Sequence, residues 1–327
     1  MCYQDQYDDN EYYTVRSLKS RPKDISTTAY HDCLGGWRGR MKLDIEALSQ
    51  VYVGSGDLET DKEGVYQTFS RSGESLVIPG TSIKGVIRSY AEALSPSCEG
   101  EKRCDPGKTQ RLCLCCVIFG TLGFQGRISF CDTQPLDLPH EVLARYSMKV
   151  RWKGKDKGGR RFYYQNKPDQ VRAGDERAEE RVETAPAKTR FISDLFFENL
   201  ATEEIGLLLL AMGCAPACPF NLKLGGGKNR RLGNISIHLP DHIRMAPSDA
   251  YTSFRAAEDV KTLTDWGVEA VSAYLRSLEK EDLDVVLENV KAFQTDAAPA
   301  SGVLTYPNDG AEGELKYELG QSVIKKR

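Results

Sequence analysis

The period of the apolar residues changes abruptly at Pro79-Gly80. Leu76, Val77 and Ile78 form a short run of strand type, and from there Ile83, Val86, Ile87, Tyr90 and Leu94 recur on one helical face. Pro79 and Gly80 stop the strand, and Thr81 or Ser82 can cap a helix running from Ile83 to about Leu94. A chain that passes from strand to helix in so few residues, with the helix apolar on one side only, lays that helix on a sheet.

The remaining elements fit the same architecture. Leu43, Ile45 and Ala47 alternate with Lys42, Asp44 and Glu46, the period of a half-buried strand, which Gly54, Ser55 and Gly56 end. Gly126 to Cys131 reads as another strand, and Val182 to Phe197 as a strand region rich in β-branched and aromatic residues. Thr202 caps an apolar helix through Met212, and Asn234 to Ile237 alternates as a last strand. The order strand, helix, strand, strand, helix, strand predicts an α+β fold, a ferredoxin-like (RRM-like) sheet with helices on one face and long insertions. The expected divisions are an N-terminal arm at 1–40, a core at 41–246 with insertions at 95–117 and 135–180, a helical appendage at 247–294, and a linker and tail at 295–327. Phe254 to Trp266 and Val268 to Phe293 are the expected helices of the appendage.

Five of the ten cysteines fall between Cys98 and Cys116, and four of them, Cys98, Cys104, Cys113 and Cys116, have the spacing of a structural zinc site. Cys115 is the odd one out, although it can replace either neighbour; free thiols, or a ligand set that substitutes a histidine, are the competing readings. No apolar run reaches membrane-spanning length and the acidic, tyrosine-rich N-terminus lacks a signal-peptide pattern, so a cytoplasmic location without a membrane partner is expected. The formal net charge of −3 excludes a polycationic coat, and any nucleic-acid surface has to be a local patch.

Three such patches stand out. In Gly80-Thr81-Ser82-Ile83-Lys84-Gly85 the backbone can approach an anion at a helix start, with Lys84 and Arg88 one turn apart and Ser82 beside them. The alternative is a plain strand-to-helix turn with Lys84 in solvent. Gly225, Gly226 and Gly227 lead into Lys228, Arg230 and Arg231 with no acidic residue, which suits RNA phosphates or a flexible, solubilising hairpin turn. The loop lacks the Walker spacing and is not read as a nucleotide-hydrolysing loop. Lys149 to Arg172 carries nine Lys or Arg against two Asp, among them Arg160 and Arg161, interleaved with aromatics including Phe162. Cations that hold phosphates and rings that stack bases fit single-stranded RNA; a charged loop is the alternative.

Taken in order, Ile78-Pro79-Gly80-Thr81-Ser82-Ile83-Lys84-Gly85-Val86-Ile87-Arg88, then Ile118-Phe119-Gly120 with Gly126-Arg127-Ile128-Ser129-Phe130 ending at Asp132, then Leu224-Gly225-Gly226-Gly227-Lys228, resemble the RAMP superfamily. The resemblance covers residues 41 to 240 and implies an RNA-binding subunit of a type III CRISPR interference complex in antiviral defence. Its implied partners are a CRISPR RNA guide, a target single-stranded RNA, other RAMP subunits and a large signalling subunit. In relatives the long insertion forms a thumb-like hairpin that wedges into the guide and target duplex, and structural zinc occurs at similar cysteine sites.

Cleaving relatives use an aspartate in the loop after the first strand. The corresponding segment here, Gly54 to Arg71, offers Asp61 first and Asp57 second, with Mg2+ or Mn2+ as the ion if the chain is a target-RNA endoribonuclease. The position aligned with that aspartate is Gly64, which leaves a non-catalytic cap subunit as the alternative. A stand-alone metal-dependent ribonuclease that processes precursor RNA and a zinc-stabilised scaffold are the readings from other classes.

Overall fold

A computed structural model describes residues 12–24, 35–98, 104–108, 111–136, 144–149, 160–165, 179–228, 231–240, 242–247, 259–296, 302–305, 313–318 and 321–326. The elements that build the site are β1 (Trp37–Ala47), β2 (Gly54–Asp61), β3 (Gly64–Phe69), α1 (Gly80–Ala93), α2 (Leu114–Phe119), β4 (Ile128–Phe130), β5 (Arg160–Tyr163), β6 (Glu179–Thr184), β7 (Arg190–Leu200), α3 (Thr202–Ala211), β8 (Asn234–His238), α4 (Val268–Ser277) and α5 (Lys280–Asp296).

β1 lies at the centre of the main sheet. It pairs antiparallel with β7 on one side, Leu43 opposite Ser193, and with β8 on the other, Ile45 opposite Ile237. β4 adds to the far edge of β7, Phe130 opposite Leu195. The spatial order β4-β7-β1-β8 is that of a ferredoxin-like sheet, with α1 connecting β1 to β4 and α3 connecting β7 to β8. Alternation decides the faces. Met41, Leu43, Ile45 and Ala47 point into the core, and Arg40, Lys42, Asp44 and Glu46 point out, where Arg40 pairs with Asp194.

Several local expectations are corrected. Leu76 to Ile78 is no strand of the core: Ser75–Leu76 closes a two-strand ribbon with Arg71–Ser72. Helix α1 starts at Gly80, earlier than Ile83, and neither Thr81 nor Ser82 caps it, since no side chain of the N-cap residue Pro79 or its followers makes a cap bond. The segment Gly54 to Arg71 is a hairpin of β2 and β3 rather than a loop. Val182 to Phe197 splits into β6, which joins the β2-β3 hairpin, and β7 in the main sheet. Ala201, not Thr202, is the N-cap of α3; its N–H donates to Glu204 Oε2 at 2.9 Å while the Thr202 hydroxyl accepts the Trp37 indole N–H at 3.2 Å. Within Phe254 to Trp266, Asp259–Thr262 is a strand paired to His242–Pro247, and 254–258 lie outside the described residues.

The C-terminal helices share the core of the sheet. Tyr274 of α4 and Phe293 of α5 are fully buried in the same cluster as Ile45 and Ile87. The Tyr274 hydroxyl donates to Leu94 O, and Asn289 Nδ2 donates to Ala93 O at 2.8 Å, so these helices satisfy the carbonyls that the end of α1 leaves open. The N-terminal strand Tyr12–Val15 pairs with β5, and Val15 and Leu18 are buried. No described helix is long and apolar enough to cross a membrane.

Candidate functional site

The start of α1 is held from behind. Asp132 Oδ1 accepts the Gly80 N–H at 2.8 Å, and Thr133 exchanges two bonds with Ile78. Gly80 itself is required by close approach, because a Cβ there would lie 2.1 Å from Phe130 O. An internal carboxylate therefore occupies the helix N-terminus, where an external anion was expected.

Around the next turns of α1, Ser82, Gly85 and Ser89 line a cavity of about 320 Å³. Its opposite walls are Gly225 and Lys228 of the glycine loop, Lys223 before it, and Arg161, Phe162 and Tyr163 of β5. The first glycine motif, the third and the basic insertion thus meet in one place. Gly225 has φ +83°, and a Cβ on it would stand 2.0 Å from Tyr52 O, so only glycine lets the loop turn there. Gly226 donates to that same carbonyl at 2.9 Å, which pins the loop to the end of the segment after β1.

Among the described residues the cavity wall carries Arg161, Lys223 and Lys228 and no Asp or Glu. The Lys223 amine donates to Leu232 O at 3.3 Å. Among the described residues Lys228 makes no such bond, and burial pushes its pKa below the ordinary lysine value. A desolvated ammonium without a carboxylate is a place for an anion. The hydroxyls of Ser82 and Ser89 and the Tyr163 phenol add neutral groups that can bond sugar or phosphate oxygens.

The other expected RNA ligands lie elsewhere. Lys84 points away from the cavity and donates to Ile128 O at 2.8 Å, with its pKa lowered by burial and then by Arg88. Arg88 bonds Glu92, Gly120 O and the Cys116 sulfur, and Arg160 bonds Glu92 and Cys98 O. Phe162 edges the cavity, but its ring is packed against Tyr90, Tyr13 and Phe293 as core. Gly227 has φ +64°, and Arg231 is buried behind the loop with its carbonyl bound by Ser49. Arg230 lies outside the described residues. Tyr163 was expected only as one of the stacking aromatics of the basic insertion, and Ser89 was not singled out from the sequence. The helical spacing of Ser89 from Ser82 was the available signal.

The cysteine cluster lies on the other side of α1. The sulfurs of Cys98, Cys104, Cys113 and Cys116 are all within 4.8 Å of one another. Cys98 and Cys116 sulfurs are 3.5 Å apart, and those of Cys98 and Cys113 3.6 Å. Tetrahedral zinc with bonds of about 2.3 Å sets sulfurs about 3.8 Å apart, so the four residues fit that ion. The N–H groups of Cys113 and Cys98 donate to the sulfurs of Cys104 and Cys113, as thiolate ligands require. Contacts from Cys116 and Cys98 hold Cys113 far below the usual thiol range, and the same contact pushes Cys116 up. Cys115 turns to Ser95 instead, and burial raises it to about 12. All four protein ligands being cysteine, bound zinc would be structural.

Among the described residues no cluster of carboxylates close enough to hold a divalent ion accompanies Asp61 or Asp57. Asp61 is gripped bidentately by Arg181, at 2.7 and 3.0 Å. Asp57 is exposed on β2.

The sequence profile of the RAMP superfamily matches residues 44–236. No curated protein matches the chain. Among solved structures, one similar chain comes from the type III-B Cmr-beta complex bound to cognate target RNA, at 16% identity and a TM-score of 0.39, covering 65% of this chain. The chain spans 62% of that subunit's length. Another comes from a type IV-B CRISPR complex, at 15% identity and a TM-score of 0.38, covering 62% of this chain and 90% of that one.

Proposed function

This chain belongs to the RAMP superfamily, and from that premise we propose that it is an RNA-binding subunit of a CRISPR effector complex of type III. It holds the guide RNA by its sugar-phosphate chain in the cavity between α1, β5 and the glycine loop. The observation that carries this reading is the half-buried Lys228 ammonium, in a wall that among the described residues offers cations and hydroxyls and no acid. Such a wall recognises phosphate and is indifferent to base identity, which suits a guide whose specificity comes from base pairing. The partners of this role are the guide, a complementary target RNA, neighbouring RAMP subunits and a large signalling subunit.

Between cutting and non-cutting forms of the role, the non-cutting one is favoured by Asp61. Both oxygens of that carboxylate are committed to the Arg181 guanidinium, so it is not presented to a hydroxyl or an ion. Two experiments test the proposal. Ultraviolet crosslinking of the purified chain to single-stranded RNA should place a peptide of 223–228 or 160–165 on the RNA, and the double variant Lys228→Ala, Arg161→Ala should lose the crosslink. Crosslinks confined to other surfaces would refute the site. Target-RNA cleavage in the assembled complex should be the same for parent, Asp61→Ala and Asp57→Ala; a loss with Asp57→Ala would make this a cutting subunit.

A further inference from the structure

A chain of buried hydrogen bonds leaves the cysteine cluster, crosses α1 and returns to the cluster through β5. Arg88 Nη2 donates to Cys116 Sγ at 3.5 Å and its Nε to Glu92 Oε1 at 2.7 Å. Glu92 Oε2 accepts from Arg160 Nη1 at 2.6 Å, and Arg160 Nη2 donates to Cys98 O at 2.9 Å. The three side chains are 10 to 14% exposed, so each depends on the next for its polar partners. Two of the four clustered cysteines, Cys98 and Cys116, are the ends of this chain.

Arg160 opens β5, and the following residue, Arg161, lines the cavity. Arg160 and Arg161 are adjacent in one strand, so the bonds that fix Arg160 to Glu92 and Cys98 O also fix the backbone from which Arg161 reaches the cavity. We propose that the four-cysteine cluster, acting through Arg88, Glu92 and Arg160, positions the strand that carries Arg161 into the cavity, so that metal binding and RNA binding favour one another. This rests on the RNA-binding reading above. Arg160 is accordingly a positioning residue with no contact to RNA. Four thiolates around a dication leave net negative charge, which the Arg88 guanidinium at Cys116 meets, and the carbonyl that Arg160 bonds belongs to Cys98 of the same set.

Coupling of two sites is reciprocal, and that gives the test. In the full-length chain, cobalt(II) would be titrated by its thiolate absorption with and without a saturating single-stranded oligouridine, and the same labelled RNA would be titrated into metal-free and cobalt-loaded protein. The expected result is the same factor in both directions, about fivefold or more, in the range usual for linked sites. In Arg160→Met the factor falls to one while the cobalt spectrum persists; Arg160→Lys, with one ammonium in place of a fork, recovers it only in part. If loaded parent protein binds no RNA, the RNA reading fails. If it binds RNA with equal affinity in both metal states, or if Arg160→Met keeps the parent's factor, the coupling fails and the RNA reading stands. Should Arg160→Met not fold, the parent's two factors decide alone.

Discussion

Asp132 caps Gly80 from fifty-two residues away, so the last residue of the second glycine motif holds the helix that the first motif begins. The two motifs are therefore parts of one junction. Replacing Asp132 by Ala leaves the Gly80 amide without its acceptor and should cost about 0.5 to 2 kcal/mol, the usual worth of an N-cap. Gly80→Ala should cost more, because backbone at Phe130 has to shift to admit the methyl group. Urea unfolding of both variants checks the order; equal or reversed losses would contradict it.

RNA affinity should report Lys228 as a phosphate contact. Lys228→Met is expected to weaken binding of unrelated single-stranded sequences alike and to reduce the slope of log affinity against log salt by about one. Lys84→Met, whose ammonium is spent on Ile128 O, should leave that slope unchanged. Filter binding across a salt series distinguishes the two, and a slope that changes for Lys84 alone would invert the assignment.

The same lysine makes stability depend on pH in the alkaline range. Burial lowers its folded pKa, so between that value and the ordinary lysine value the unfolded chain holds more protons than the folded one. Stability contributed through Lys228 therefore rises with pH across that window and is constant below it. Comparing urea midpoints of parent and Lys228→Met isolates this residue, since Lys84, lowered in the same direction, is present in both. The gap between the two proteins should narrow as pH rises; a constant gap would show that the lysine is not desolvated.

The cluster assigns its ligands unequally among neighbouring cysteines. Cys113→Ser should abolish stoichiometric zinc and lower the melting temperature, whereas Cys115→Ser should keep the metal, because its sulfur faces Ser95 and not the cluster. Metal content by mass spectrometry decides, and retention of zinc in Cys113→Ser would exclude the proposed set.

Much of this was legible in the chain because its signals are local. The alternation at Leu43 to Ala47 gave β1 its faces, and the run of apolar residues gave α3. The spacing of Cys113 and Cys116, plus two nearby cysteines, gave the cluster. What was not legible depends on which way a side chain turns once its element is placed. Lys84 and Ser82 are two residues apart on a helix, so they cannot both face the cavity, and no sequence signal says which one does. Asp61 looked like a free loop carboxylate because Arg181, its partner, lies 120 residues away in another strand of the same small sheet. Phe162 looked like a stacking platform because the rings that bury it come from the N-terminal arm, α1 and α5.

Those rings lead to the last prediction, on whether the C-terminal helices can be removed. They follow the core in sequence and carry charged exposed faces, which suggested an appendage. Phe293 of α5 lies 4.9 Å from Tyr90 of α1 and 4.7 Å from Phe162 of β5, between centroids, in the aromatic group behind the cavity. Phe293→Ala should cost about 3 to 5 kcal/mol, the range for a buried aromatic truncation. Because the cavity wall at Tyr90 and Phe162 rests on this ring, RNA affinity should fall in the same variant even at temperatures where it is fully folded. Exposed Leu287 on the same helix provides the control, since Leu287→Ala removes a side chain that touches no such group. If Phe293→Ala unfolds no more readily than Leu287→Ala, α4 and α5 are a separable unit and the aromatic group does not support the cavity.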